Sequence, residues 1–187
     1  NNNEKNFPQN FRTKESADLF LVLMIHLLKN GGRAGIVLPD GSLTGEGVKQ
    51  RVRERLLTEC NLHTIVRLPN SVFQPYATVA TNLLFFVKGT PTKEVWYYEH
   101  RLPEGQKSYS KTKPIKLEEL KPIKNWWNNR EENEVAWKVD IETIFDRGYD
   151  LDIKNPNKQE EEHEYSSAEL IAMLEKSMQQ SNELLNQ

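Results

Sequence analysis

The sequence predicts an α/β fold built on a mostly parallel sheet with one reversed strand, and three observations predict it. A helix-length apolar segment stops at Gly31-Gly32 and leads into the short run Arg33-Ala34-Gly35-Ile36-Val37-Leu38-Pro39. An amphipathic segment then leads into a second run of the same kind, His63-Thr64-Ile65-Val66-Arg67-Leu68-Pro69. A third apolar run over residues 78–88 follows after only a short loop. Alternating helices and buried strands define the α/β class. A loop that short does not make a parallel crossover, so the last pair is expected to be antiparallel.

Taken in order, residues 1–14 are polar and Asn-rich, with Phe7-Pro8 and Phe11 among them, and read as an entry loop. From Glu15 to Lys29 the chain is helical and apolar on nearly every side, which predicts a fully buried helix that includes His26. The run 33–39 carries β-branched residues at its centre and ends at proline, as a strand buried on both faces does. After the Gly-rich loop comes a helix over about Val48 to Cys60, with Val48, Val52, Leu56 and Leu57 on one face. Beyond Gly89-Thr90-Pro91, residues 93–99 offer one edge strand. Residues 91–157 form an extension of mixed short elements packed on the domain of residues 15–90. Residues 158–187 comprise an acidic linker and a final helix that Ser166-Ser167-Ala168-Glu169 opens with a capping-box pattern. Its Leu170, Ile171, Leu174 and Met178 form a stripe that wants a partner surface.

Composition narrows the function. The 187 residues hold 28% charged and 37% hydrophobic side chains, enough for one ordinary core with surface to spare. Lys and Arg total 25 against 27 acids, a net charge of −2, so any contact with nucleic acid is local rather than global. The single cysteine, Cys60, excludes an internal disulfide framework and reads as a structural thiol of a reducing compartment. The longest apolar stretch, Leu19 to Leu28, is too short to span a bilayer, and no signal-peptide pattern opens the chain; a cytoplasmic protein without membrane contact is expected.

Several motifs bear on chemistry. Gly41, Gly45 and Gly47 lack the spacing of a phosphate-binding or dinucleotide fingerprint and read as a tight strand-to-helix loop. That loop still lies at the carboxyl end of a strand, where open α/β sheets bind ligands, so Pro39 and Asp40 are candidate site residues. His26, His63, His100 and His163 share no metal spacing, and Asp146, Asp150 and Asp152 lack the glycine of a calcium loop, so no metal is expected. Trp126-Trp127 reads as a packing element that pins the extension to the core, with base stacking the weaker alternative. In the loop Val72-Phe73-Gln74-Pro75-Tyr76, the aromatic residues fit a core plug and a stacking platform equally well.

Longer strings carry a resemblance. Ala17-Asp18-Leu19-Phe20, Gly31 through Gly41 and Gly45-Glu46-Gly47-Val48-Lys49, followed by Asn61 through Asn70, Val72-Phe73, Pro75-Tyr76 and Thr81-Asn82-Leu83-Leu84-Phe85-Phe86, resemble in this order the modification subunit of type I restriction-modification systems. Trp126 through Arg130, Ala136-Trp137-Lys138-Val139 and Gly148 through Pro156 extend the likeness. The resemblance implies an N6-adenine DNA methyltransferase: a Rossmann-like sheet, S-adenosylmethionine as methyl donor, and an adenine flipped out of the duplex because its amine is otherwise locked in pairing.

By the same resemblance Phe73 stacks on the flipped base, with Pro39, Asp40, Pro75, Tyr76, Thr81 and Asn82 lining the base pocket or lying near DNA. Gln74 between Phe73 and Pro75 departs from the family's pattern. The family's glycine-containing cofactor motif and its Asn-Pro-Pro-Phe or Asn-Pro-Pro-Tyr motif do not occur in the sequence; Asn155-Pro156-Asn157 lacks the second proline and the aromatic. The chain is therefore expected to be the C-terminal portion of such a subunit, with both motifs upstream of Asn1, and to be inactive alone. DNA, the specificity subunit and the restriction subunit are the implied partners. Two rival classes remain open: a non-catalytic module that docks the specificity subunit, and a Rossmann-like methyltransferase acting on RNA or protein.

Overall fold

The computed structural model describes residues 3–157 and Met178, so the expected C-terminal helix lies outside the described residues. Two 3-10 turns, Asn3–Asn6 and Gln9–Phe11, lead to helix α1, Ser16–Leu27. Helix α1 buries Asp18, Leu21, Val22 and Ile25, one stripe at i, i+3, i+4 and i+7. Here the expectation of burial on every side fails. Phe20 is 64% and Leu27 69% exposed, and His26 is exposed too, because among the described residues only one flank of the helix meets the sheet and its neighbouring helix. Gly31, at φ +78°, turns the chain out of the helix, and its amide donates to Lys88 O at 2.7 Å.

Strand β1 is Arg33–Pro39, α2 is the single turn Asp40–Leu43, α3 is Val48–Glu59 and β2 is Cys60–Leu68. Cys60, expected at the end of α3, instead opens β2; burial pushes its thiol up to about 11, as befits a structural rather than a reactive cysteine. Strands β3 (Thr81–Lys88), β4 (Glu94–Glu99) and β5 (Ala136–Asp140) complete a five-stranded sheet of order β1-β3-β2-β4-β5. Strand β3 runs antiparallel to both β1 and β2, as the short connection requires, whereas β4 is parallel to β2 and β5 antiparallel to β4. The expected edge strand at 93–99 is thus interior, since β5 pairs outside it. Strand β1 holds the other edge, so over residues 33–37 it alternates between exposed and half-buried, with Val37 49% exposed, and only Leu38 of this strand is fully buried.

The larger core lies on the face covered by α1, α3 and α5 (Ile141–Asp146), where Ile25, Leu56, Ile65, Phe86, Tyr97 and Ile144 are fully buried. Each large apolar side chain removed from water there contributes roughly 1.5–3 kcal/mol. On the opposite face, α4 (Lys121–Trp127) lays Ile123 and Trp126 over Val66, Tyr98 and Ala136. Trp127 meets Phe85 edge-on at 4.9 Å, and the Arg130 guanidinium lies 5.4 Å and 5.0 Å from the centroids of Trp126 and Trp127. The tryptophan pair is a packing element.

Arg130 also donates to His63 O at 3.0 Å and approaches His63 Nδ1 at 3.3 Å. A guanidinium only donates, so this nitrogen accepts and the ring is neutral. Burial, reinforced by the Arg130 charge, lowers the His63 pKa from 6.5 to about 4. Between those two values the unfolded chain binds a proton that the folded chain excludes. The contribution is full above pH 6.5 and is lost as the pH falls towards 4. Urea unfolding from pH 7 to pH 4 is expected to show about 2–3 kcal/mol of acid destabilisation from this group, and His63→Gln removes that component.

Candidate functional site

The carboxyl ends of β1 and β2 meet at the first residues of β3: Pro39 and Leu68 both pair with Thr81, and one step inward Leu38 and Arg67 both pair with Asn82. Register alone therefore gathers Pro39, Thr81 and Asn82 where α/β sheets bind ligands. Asp40 follows at the start of α2, with its amide on Ala80 O at 3.0 Å. Its carboxylate accepts from Asn82 Nδ2 at 2.6 Å and lies 3.7 Å from Arg67 Nη2. Arg67 Nη2 also donates to Asp152 Oδ1 at 2.6 Å, and Nη1 donates to Ile153 O at 3.0 Å. Asn82 Oδ1 and Thr81 Oγ1 are buried acceptors with no partner among the described residues.

Beneath this cluster, residues 148–157 run back as a strap. Gly148 and Tyr149, at φ +65° and +63°, reverse the chain after α5. Asp150 then accepts from Thr44 Oγ1 at 2.9 Å and from the Asp152 amide at 2.7 Å. The Leu151 amide donates to Leu43 O at 2.8 Å, while Tyr97 OH donates to Leu151 O at 3.0 Å. Asn155 Nδ2 reaches Glu99 Oε2 at 3.0 Å and Glu134 O at 2.7 Å. Asp150, Asp152 and the Asn155-Pro156-Asn157 string are thus structural fastenings.

The Gly-rich loop closes around Arg53, which is only 2% exposed although it lies on amphipathic α3. Its guanidinium donates to the carbonyls of Thr44 at 2.8 Å, Gly45 at 2.5 Å and Tyr149 at 2.6 Å. Burial lowers its pKa, with Asp150 and Asp18 opposing, yet a guanidinium so placed stays charged. Asp18, buried on α1, lies 3.1 Å from Lys49 Nζ, an ion-pair distance without hydrogen-bond alignment. With its carbonyls converging on Arg53, the loop is filled from within.

Residues 69–80 connect β2 to β3 and so spring from the same end of the sheet. Their turns are closed by Val72 N on Pro69 O at 3.2 Å, Gln74 N on Ser71 O at 3.0 Å and Tyr76 N on Phe73 O at 2.9 Å, and the Gln74–Pro75 peptide is cis. Ser71 is buried, whereas Phe73 is 43% and Tyr76 87% exposed, and Pro75 is exposed as well. All seven residues named from the sequence lie on this end of the molecule. Arg67 and Asp152 belong with them and were missed; the signal for Arg67 was a charge inside an otherwise apolar strand. Among the described residues no group of three His, Cys, Asp or Glu is placed to hold a metal ion, and no helix is long and apolar enough to cross a membrane.

The chain matches the family model for N-6 DNA Methylase over residues 1–165, and it belongs to that family. Its relatives include methylase subunits of type I restriction enzymes. It is 54% identical over 191 residues to the EcoEI methylase subunit of Escherichia coli, covering 98% of this chain and 39% of that protein. Among solved structures, a modification subunit of a putative type I restriction enzyme from Vibrio vulnificus superposes with a TM-score of 0.78 at 46% identity, over 83% of this chain and 35% of its own. A chain of a type I R-M system superposes at 0.79 with 36% identity, over 98% of this chain and 40% of its own. The chain thus spans about two fifths of the length of these relatives.

The geometry around Arg53 makes a direct prediction. Arg53→Ala strands several buried carbonyls and is expected to lower the unfolding free energy by about 3–5 kcal/mol. Arg53→Lys recovers only part of this, since the three hydrogens of an ammonium diverge from one atom and do not reproduce donors spread over three guanidinium nitrogens. Chemical denaturation of the three proteins checks both statements.

Proposed function

We propose that this chain forms the target-base side of a site-specific DNA adenine-N6 methyltransferase, the modification subunit of a type I restriction-modification system. The observation that carries the reading is the half-exposed Phe73, on a loop rooted beside Asp40 and Asn82 at the strand ends. An adenine must leave the stack before its amine can react. Phe73 offers the flipped base an aromatic face, and Pro75 and Tyr76 flank it. Thr81 Oγ1 and Asn82 Oδ1, buried without partners among the described residues, supply acceptors for a polar base edge near Pro39 and Asp40.

S-adenosylmethionine is the proposed methyl donor of the whole subunit, but the residues of this chain do not fit it. The one Gly-rich loop is occupied by Arg53, and the sequence carries no cofactor glycine motif or Asn-Pro-Pro-aromatic motif. Donor binding and orientation of the amine are assigned to the remainder of the subunit, whose sheet continues along the open edge of β1 and covers Phe20 and Leu27 of α1. The chain alone is accordingly inactive. Duplex DNA, the specificity subunit and the restriction subunit are its proposed partners in the cytoplasm, with the C-terminal residues 158–187 docking the specificity subunit.

Isothermal titration of this chain with S-adenosylmethionine is expected to give no specific heat; micromolar affinity sinks the division of labour proposed here. In the whole subunit, Phe73→Ala is expected to slow methyl transfer about 5- to 150-fold, the equivalent of about 1–3 kcal/mol of base stacking, while assembly and fold persist. An unchanged rate returns Phe73 to a packing role.

A further inference from the structure

Residues 101–116 carry Arg101, Lys107, Lys111, Lys113 and Lys116 against a single acid, Glu104, in a chain whose net charge is −2. They form neither helix nor strand between β4 and the 3-10 turn Leu117–Leu120. Irregular segments of this length in compact domains are mostly functional or disordered. This one is built. Tyr109, at its centre, is completely buried and stacks on His100, with ring centroids 6.2 Å apart and planes within 6°. His100 Nε2 donates to the phenol oxygen at 2.8 Å, and the phenol donates to Glu119 Oε2 at 2.5 Å. Ser110 and Lys113 exchange backbone hydrogen bonds of 3.0 Å and 3.1 Å, a tight hairpin with Lys111 at its tip. All four lysines are exposed, and among the described residues none enters an ion pair; Arg101 alone is engaged, by Glu134.

The second observation joins this segment to the strand-end site. The Tyr109 amide donates to Ser71 Oγ at 3.0 Å, and that oxygen is buried at the root of the aromatic loop, two residues before Phe73. By chain connectivity Lys107 and Lys111 lie within roughly 22 Å of Phe73, Cα to Cα, about the width of a duplex. Cations carried on a backbone anchored at Tyr109, no farther than that from an aromatic residue proposed to stack on a base, are complementary to the phosphates that flank an extruded nucleotide.

We propose that residues 101–116 are a phosphate-contacting arm for duplex DNA, with Lys107, Lys111, Lys113 and Lys116 on the backbone and Ser71 as the positioning residue that holds the arm and the Phe73 loop in one frame. The proposal rests on the methyltransferase reading above. The lysines supply affinity without sequence preference, and the joint between Ser71 and Tyr109 converts that grip into placement of the aromatic ring.

The test uses the whole methylase subunit, in complex with its specificity subunit, and a duplex oligonucleotide containing the target site, with binding followed by fluorescence anisotropy over a range of KCl concentrations. Replacing the four lysines with glutamine is expected to weaken binding about tenfold or more and to flatten the plot of log K against log salt by about 0.9 for each phosphate no longer neutralised, about 2–4 in all. Replacing them with arginine restores both. A parallel plot, whether or not affinity falls, overturns the arm. Ser71→Ala is expected to keep the salt slope and the KM for DNA while lowering kcat, with Ser71→Thr restoring it; a wild-type kcat in Ser71→Ala overturns the positioning role. If the wild-type complex transfers no methyl group to any duplex, the methyltransferase reading itself fails; if it methylates DNA and the salt slope ignores the lysines, only the arm fails.

Discussion

The arrangement depends on one constraint, the antiparallel insertion of β3 between the parallel strands β1 and β2. Because β3 begins beside the ends of both neighbours, the loop that feeds it has no choice of location: it leaves Leu68 and returns to Thr81, a residue paired directly with Leu68. Pairing register thereby sets an exposed aromatic residue on that loop, Phe73, at the carboxyl end of the sheet. Shifting β3 by one residue turns Asn82 away from Asp40 and reverses every buried side chain of the strand. The apolar packing of Leu84 and Phe86 therefore fixes the polar geometry at the strand ends.

Two arginines then make those ends rigid by different means. Arg67 bridges the sheet to the strap through Asp152 and Ile153 O, an ion pair within reach of Asp40. Arg53 acts on neutral carbonyls, a charge fully enclosed by oxygen atoms of the folded backbone. A buried charge is tolerated only when its donors are met, and here the donors are met by the backbone of the loop they shape. The loop's glycines serve this closure: Gly45 and Gly47, at φ +92° and +70°, hold the left-handed turns that bring carbonyls inward.

The alternation of helix and strand, the reversal of β3 and the packing role of Trp126 were legible in the sequence, because each follows from local patterning or from loop length. The candidate site was legible in part, since Pro39, Asp40, Thr81 and Asn82 flank recognisable strands. What could not be read was partnership at a distance. Thr44 meets Asp150 across 106 positions and Arg67 meets Asp152 across 85, and no periodicity encodes such pairs. Strand β1 and helix α1 misled for a related reason: their apolar composition reports what they are suited to bury, whereas Val37 and Phe20 are exposed among the described residues. The segment around Tyr109 carries no pattern of helix or strand, and its one buried aromatic stands among lysines that mark a surface.

The strap of residues 148–157 has a consequence for the order of assembly. Its fastenings to Thr44, Leu43, Arg67 and Tyr97 all close over long stretches of intervening chain, and non-local closures form late because their entropy cost precedes their reward. On a ribosome the chain emerges from its N-terminal side, so α1 through β3 can collapse while the Asp150 and Asp152 carboxylates are still unmade. During that interval Arg67 lacks Asp152 and the Ile153 carbonyl, and the Gly-rich loop lacks the Tyr149 carbonyl that completes the enclosure of Arg53. The strand-end site is thus finished from its far side, by residues synthesised after the sheet they secure.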